Sequence, residues 1–174
     1  IENKRPLVGQ KNSHAINMLG TDAYYKGAYV LHMLRGLVGK ELLWSSLYEY
    51  ISMPKEYENN QTSTSEFIKL INNNSGKELD WFFQKYLYSK SVPVLIVEEV
   101  YTNDKNFIDI YWEDDNFIMP VEISYTFNEN TIQKTIPITN KPYRMVTNSS
   151  SSYKVDPNKN LLLDMKLLKK ESKI

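Results

Sequence analysis

The hydrophobic period of the sequence changes once, near Val92-Pro93, and this change constrains the fold more than any other feature. Before it, apolar residues recur at helical spacing, and after it they alternate with polar residues as in half-buried strands. The change is therefore the domain boundary that the sequence indicates. We predict an α+β fold with an α-helical segment over 1–91, an antiparallel β-sandwich over 92–166 and a Lys-rich tail over 167–174.

Helical spacing of apolar residues before the boundary predicts four helices. They cover 22–38, about 40–51, a segment that begins at a capping box from Ser63 to Glu66, and a segment that carries Leu79 to Leu87. The first helix has Thr21 or Asp22 as its predicted cap and Gly39 at its end. Its apolar residues cover nearly the whole circumference, so we expect it to be buried on most sides.

Short runs with a period of two follow the boundary and predict seven strands. These runs cover 93–101, 107–113, 117–127, 131–138, 143–147, 153–155 and 161–165. Pro120 and Pro137 lie inside two of the runs, so those strands are predicted to be edges or to carry bulges. After Met165 the sequence becomes Lys-rich, and we expect that end to be frayed.

Charge and composition exclude several functional classes. Lys and Arg together number 21, as do Asp and Glu, so there is no basic excess for nucleic acid or anionic lipid. No stretch approaches the roughly 18 consecutive apolar residues of a membrane-spanning helix, so no membrane span is predicted. With no cysteine there is no disulfide and no thiolate metal site, and the compartment stays open between bacterial cytoplasm, periplasm and secretion.

The histidines do not form a recognisable metal site. There are two, His14 and His32, and neither is followed by Glu, so the H-E-x-x-H zinc helix is absent from this sequence. His32 lies in the middle of the first predicted helix, where a core histidine bonded to a neighbour is the preferred interpretation. His14 falls in a polar loop, where we expect it to be exposed.

Acid pairs and tyrosines are the other candidates for chemistry. Glu98-Glu99 and Asp114-Asp115 are adjacent acids, but neighbours on a strand point to opposite faces, and solvated turns explain such pairs better than catalysis. Tyr24-Tyr25-Lys26-Gly27 opens the first helix, where side chains and free backbone N–H groups can face a cavity. On residue chemistry alone the two tyrosines can also be core aromatics, and that interpretation is favoured.

Residues 22–35, DAYYKGAYVLHMLR, closely resemble the Y-x-K-G-a-x-v-L-x-m-L segment of M1 family metallopeptidases. Four further segments resemble that family in the same order: Val38 to Leu43, Ser75 to Leu87, Pro93-Val94-Leu95 and Val155-Asp156-Pro157. Within Ser75 to Leu87 the family pattern is S-G-x-d-L-x-x-F-F-x-x-W-L, and Tyr86 replaces its usual Trp. The resemblance spans roughly residues 20–165.

This resemblance implies a zinc aminopeptidase that removes N-terminal residues from peptides. The helical segment would be the C-terminal part of a thermolysin-like catalytic domain, and the sandwich a supporting domain without catalytic residues. In the family, H-E-x-x-H and a glutamate ligand lie upstream of Y-x-K-G, so zinc is expected in the full-length parent and none in this chain. We accordingly expect the chain alone to be inactive. We also expect it to self-associate through apolar surface of the helix over 22–38 that the missing part would cover.

The family's active-site phenol maps onto Tyr24 and not onto Tyr25. A fixed neutral O–H donor can stabilise the negative charge that grows on a peptide carbonyl oxygen during hydrolysis. The alternative is an M1-like scaffold without activity that serves protein contacts. Retention of Tyr24 argues against that alternative, because a scaffold has no need of the phenol.

Overall fold

The computed structural model describes residues 1, 3, 5–9, 20–52, 62–102, 105–127, 130–147 and 152–171. The chain divides into two compact units, Ile1–Ser91 and Val92–Ile174. Helices form the first unit and two sheets form the second, so the predicted α+β class is confirmed. Among the described residues, no helix is long and apolar enough to cross a membrane.

The described residues of the first unit form four helical segments. They are α1 (Thr21–Val38), α2 (Lys40–Ser52), α3 (Thr64–Ser75) and α4 (Asp80–Phe83), which continues as a π-helix over Gln84–Tyr88. Each predicted helix is therefore present, within a few residues of its predicted bounds.

The start of α3 and the end of α1 follow local chemistry, whereas the start of α1 does not. Ser63 caps α3, and its side chain accepts from the Glu66 N–H while the Glu66 carboxylate accepts from the Ser63 N–H, which completes the predicted capping box. Gly39 ends α1 with a φ of +91°, a conformation that favours glycine. At the start of α1, however, the cap is Gly20, which has no side chain to bond the first N–H groups. The predicted caps Thr21 and Asp22 are already inside the helix.

One face of each helix contributes to the core of the helical unit. Its fully or almost fully buried apolar side chains are Val30, Met33, Leu34, Leu43, Leu70, Ile71, Leu79, Phe82, Phe83 and Tyr86. Phe82 lies between two rings, with centroids 5.4 Å from Phe83 and 5.0 Å from Tyr86. Aromatic pairs at these distances add to the stabilisation from area burial. Tyr86, where the family has Trp, is thus a central core residue.

Helix α1 is less buried than its sequence predicts. Its buried side chains are Lys26, Val30, Met33 and Leu34, which fall on one stripe because residues three, four and seven apart share a face. Leu31 and the two tyrosines at its start are exposed. Tyr29, Leu37 and Val38 are half-buried, so the apolar circumference of α1 is only partly covered by the described part of the chain.

Within the described ranges, the second unit has seven strands in two sheets. The strands are β1 (Val94–Tyr101), β2 (Asn106–Trp112), β3 (Met119–Phe127), β4 (Asn130–Ile138), β5 (Tyr143–Thr147), β6 (Tyr153–Val155) and β7 (Asp164–Glu171). One sheet has the order β5-β2-β1-β7 and the other β4-β3-β6. The register places Leu95 opposite Trp112 and Val97 opposite Ile110, and all four side chains are almost completely buried. This face of the four-stranded sheet supplies much of the core.

Two predictions about the sheets are wrong. The sandwich is not wholly antiparallel, because β7 pairs with β1 in parallel, from Val94 opposite Asp164 to Tyr101 opposite Glu171. Residues 167–171 are therefore strand rather than frayed tail, since the backbone of β1 offers its free side to them. Their side chains are all exposed. The polar sequence of this segment therefore did not predict a strand.

Proline placement differs from the prediction in one strand. β4 is an edge strand and accommodates Pro137, but Pro120 lies in β3, the middle strand of its sheet. The two prolines are opposite each other in the register, and neither has an N–H to donate. On its other side, β3 pairs with β6 only from Ile123 to Tyr125, so Pro120 interrupts no bond there.

A polar cluster around Glu99 connects the two sheets. The Tyr153 hydroxyl on β6 donates to Glu99 Oε1 on β1 at 2.8 Å, and Tyr101 donates to the other carboxylate oxygen. These bonds hold the pKa of the Glu99 carboxyl below its ordinary value. Burial, together with the bond to Glu99, raises the pKa of Tyr153 to about 12. Lys169 on β7 adds an ion pair at 3.7 Å.

We expect Tyr153→Phe to lower the free energy of unfolding at pH 7 by about 1 kcal/mol, because one donor to a charged group is lost. A carboxyl with a lowered folded pKa stabilises the fold above its ordinary pKa, and that contribution disappears as pH falls through the folded pKa. The variant should therefore lose less stability than wild type below about pH 4.5, the ordinary value for Glu99. Urea unfolding at several pH values measures both effects. Tyr143→Phe, at an exposed phenol on β5, is the control, and equal losses would contradict the assignment.

Candidate functional site

The start of α1 carries the predicted site residue. Tyr24 and Tyr25 both lie in the first two turns and expose 74% and 65% of their surface. They are therefore not core aromatics within the described residues, which removes the alternative that residue chemistry alone favoured. Successive residues on a helix point about 100° apart, so the two phenols face different directions. A site on α1 can use one of them without the other.

Lys26 is the buried residue next to the two tyrosines on α1. Its side chain is 0% exposed, and Nζ donates to the main-chain carbonyl of Ser89 at 3.1 Å. Burial lowers the pKa of the ammonium group, and the charge of Asp22 opposes that effect. The bond joins residues 63 positions apart and connects the start of α1 to the end of the helical unit.

Lys26 was not among the predicted site residues, although its position in the sequence carries a signal. Lys26 precedes Val30 by four residues and Met33 by seven, so it falls on the buried stripe of α1. A lysine at such a position either directs its amine out to water or needs a buried acceptor. Only the folded chain could identify that acceptor as Ser89.

Open space surrounds Gly27, the residue after Lys26. A Cβ built on this glycine would meet no atom within 4 Å. Gly27 is three residues after Tyr24, and residues three apart are neighbours on a helix surface. The surface beside the Tyr24 phenol is therefore open rather than filled by other parts of the described chain.

His32 was predicted to be a core histidine and is not one. It is exposed, since it lies two residues, about 200°, from Val30 and Leu34 on the buried stripe. It does bond to a neighbour, because Arg35 Nη2 and His32 Nδ1 are 3.1 Å apart. His14, predicted to be exposed, lies outside the described residues.

The acid pairs do not converge on a site. Glu98 and Glu99 occupy opposite faces of β1, as predicted, and the Glu99 carboxylate is bonded to phenols rather than to another acid. Asp114 and Asp115 lie in the turn between β2 and β3. Among the described residues, no group of three or more His, Cys, Asp or Glu side chains could hold a metal ion. A zinc ligand set therefore does not fit the residues that the structure describes.

Comparison with protein families finds a match in the helical unit. The model of the peptidase family M1 domain matches residues 2–86, which cover α1, α2, α3 and most of the last helical segment. The match includes the Tyr24-Tyr25-Lys26-Gly27 sequence and ends before the first strand. No curated protein matches the chain.

We expect Gly27→Ala to stabilise this chain by about 0.5–1 kcal/mol, because alanine in a helix interior loses less conformational entropy than glycine. The added methyl group meets no atom, so no strain offsets this gain. Thermal unfolding of the chain measures the change. Gly36→Ala, at a second open helical glycine, is the matched comparison and should give a similar gain. A loss of stability at Gly27 alone would show that the space beside Tyr24 is filled.

Proposed function

Because residues 2–86 belong to the peptidase family M1 domain, we propose that this chain is part of a zinc-dependent aminopeptidase that hydrolyses N-terminal residues from peptides. The peptidase family rests on the domain match. The aminopeptidase specificity, the zinc and the role of Tyr24 rest on the resemblance of residues 22–35 to the family segment. The observation that carries the proposal is the exposed phenol of Tyr24 on a helix that is otherwise fixed by a buried core.

In this proposal Tyr24 acts on the oxygen of the peptide bond that is cleaved. Attack on the carbonyl carbon moves negative charge onto that oxygen, and a phenol O–H already directed at it stabilises the charge without reorganisation. The fixed position of the donor matters more than its acidity, because the phenol donates a hydrogen bond and keeps its proton. Exposure of Tyr24 within this chain leaves room for the substrate at the hydroxyl.

We propose that the zinc of the family is bound by residues other than those that the structure describes. We assign no zinc ligand to this chain, since its sequence lacks the H-E-x-x-H motif. The isolated chain is accordingly proposed to be inactive, with Tyr24 as its contribution to an active site completed by other parts of the enzyme. The strands of the second unit are proposed to support that domain and not to contact the substrate.

Replacement of Tyr24 by Phe in the full-length enzyme tests the proposed role. The change removes one O–H donor and keeps the ring, so kcat should fall by about 10²–10³ while KM stays nearly constant. Peptide hydrolysis kinetics with aminoacyl substrates measures both constants.

Tyr25→Phe is the matched control, since it deletes the same hydroxyl from the adjacent, equally exposed position. It should leave kcat within about threefold of wild type, because a hydroxyl about 100° away cannot reach the same oxygen. Equal losses in the two variants would show that the phenol is wrongly assigned. A full-length protein without hydrolytic activity would favour the scaffold alternative.

Apolar surface on α2 supports the proposed self-association of the isolated chain. Trp44, Tyr48 and Ile51 are exposed and follow one another at spacings of four and three residues, which places them on one face. Large exposed apolar patches in a soluble chain mark contact surfaces. In this chain alone, we propose that a second copy covers the α2 face.

Sedimentation of the isolated chain at tens of micromolar should show dimers or larger species. The double change Trp44→Ser and Tyr48→Ser should shift the chain to monomer, because it removes most of the apolar area of that face. Val146→Ser, at an exposed apolar residue of β5, should leave the distribution unchanged. A wild-type chain that stays monomeric would contradict this part of the proposal.

A further inference from the structure

The buried ammonium group of Lys26 is the feature of the helical unit that stability alone does not explain. A buried amine loses its hydration, and one hydrogen bond to a carbonyl does not fully replace it. The lowered pKa of Lys26 reflects this cost of burial. An unbranched apolar side chain such as methionine would fill the same space without desolvation. A lysine here therefore suits a role that depends on the direction of its bond.

The Ser89 carbonyl, which accepts the bond from Lys26, belongs to a segment that other hydrogen bonds also hold in place. Ser89 directly follows the π-helix, where the last carbonyl groups lack helical partners, and an amine donor can satisfy one of them. The Ser89 hydroxyl accepts from the N–H of Ser91 at 3.1 Å, and the two hydroxyls are 2.8 Å apart. Nearby, the Val8 N–H donates to the Leu87 carbonyl at 2.9 Å. Several bonds therefore hold the segment that receives Lys26.

The other end of the bond is a helix start that lacks its own side-chain cap. The Gly20 carbonyl accepts from the Ala23 N–H at 3.1 Å, but Gly20 has no side chain that could bond a further N–H of α1. First turns without a side-chain cap fray more easily. Tyr24 lies within this first turn, and Lys26 follows two residues later. The bond from Lys26 to Ser89 therefore adds a long-range contact next to a first turn that has no side-chain cap.

We propose that Lys26 is a positioning residue for Tyr24, and that its bond to the Ser89 carbonyl fixes the first turn of α1 and with it the direction of the Tyr24 hydroxyl. The inference rests on the proposed function of Tyr24 as an oxyanion donor. Lys26 does not contact the substrate in this arrangement, because its side chain is directed into the protein. Its effect reaches the reaction only through Tyr24.

A double-mutant cycle in the full-length enzyme tests this dependence. Lys26→Met should lower kcat by about 10- to 100-fold, because displacement of a catalytic group by about 1 Å has costs of that order. In the Tyr24→Phe background the same change should lower kcat by less than about threefold, since no hydroxyl remains to be positioned. KM should change little in either background. Lys40→Met, at an exposed lysine at the start of α2, is the control for charge removal.

The cycle separates failure of this inference from failure of the proposed function. If Tyr24→Phe itself leaves kcat unchanged, the proposed function is wrong and the inference with it. If Tyr24→Phe lowers kcat but Lys26→Met has the same effect in both backgrounds, Lys26 is a structural residue and only the inference is overturned. Should Lys26→Met fail to fold, Lys26→Gln is used in the same cycle, since its shorter amide cannot reach Ser89.

Hydrogen exchange of this chain gives a second measurement that does not depend on activity. Lys26→Met should speed exchange of the backbone amides of residues 25–28 by about tenfold or more, because local opening of the first turn becomes easier. Amides in the middle of α3 should exchange as in wild type. Unchanged exchange over 25–28 would show that the bond to Ser89 does not hold the turn and would overturn the proposal.

Discussion

Burial of polar side chains is the constraint on which both units depend, because each such group needs a partner inside the protein. The described part of the chain buries four of them: Lys26, Ser46, Asp109 and Asp156. Ser46 bonds to Asn74 and thereby joins α2 to α3, at a separation of 28 residues. The bonds of Lys26, Ser46 and Asp109 connect segments far apart in the sequence. Those of Asp156 lie within one turn. The apolar core makes the units compact, and these bonds determine which segments meet.

The second unit shows the same constraint in its sheets. Asp109 on β2 accepts two bonds from the Arg144 guanidinium on β5, at 2.7 and 2.6 Å, in a bidentate pair. Asp156 accepts from the N–H groups of Asn160 and Leu161 and so shapes the turn that leads from β6 towards β7. This turn places β7 beside β1, where it pairs in parallel. Asp156, which lies in a segment that resembles the family, thus has a structural role in this turn.

Sequence patterns among neighbouring residues predicted the helices and strands well. They predicted the burial and the pairing of these elements less well. The change of period at Val92, the capping box at Ser63 and six of the seven strands follow from neighbouring residues, which the sequence displays directly. The predictions of a buried His32 and of a frayed end after Met165 were wrong, because burial and strand pairing depend on distant segments. For the site, the position of Tyr24 at a helix start could be predicted, whereas the bond from Lys26 to Ser89 spans 63 residues and required the fold. The catalytic assignment of Tyr24 is still a prediction.

The chemistry of lysine explains why this residue suits the start of α1. An ammonium group is a compact donor on a flexible four-carbon stem, so it can reach one carbonyl through a narrow space in the core. Arginine would bring a planar fork with five donors, and most of them would lack acceptors beside Ser89. A neutral donor would bond more weakly to the carbonyl, since charged donors make the stronger hydrogen bonds. Lysine therefore provides a single directional hydrogen bond at the end of a long side chain, close to a first turn whose cap is a glycine.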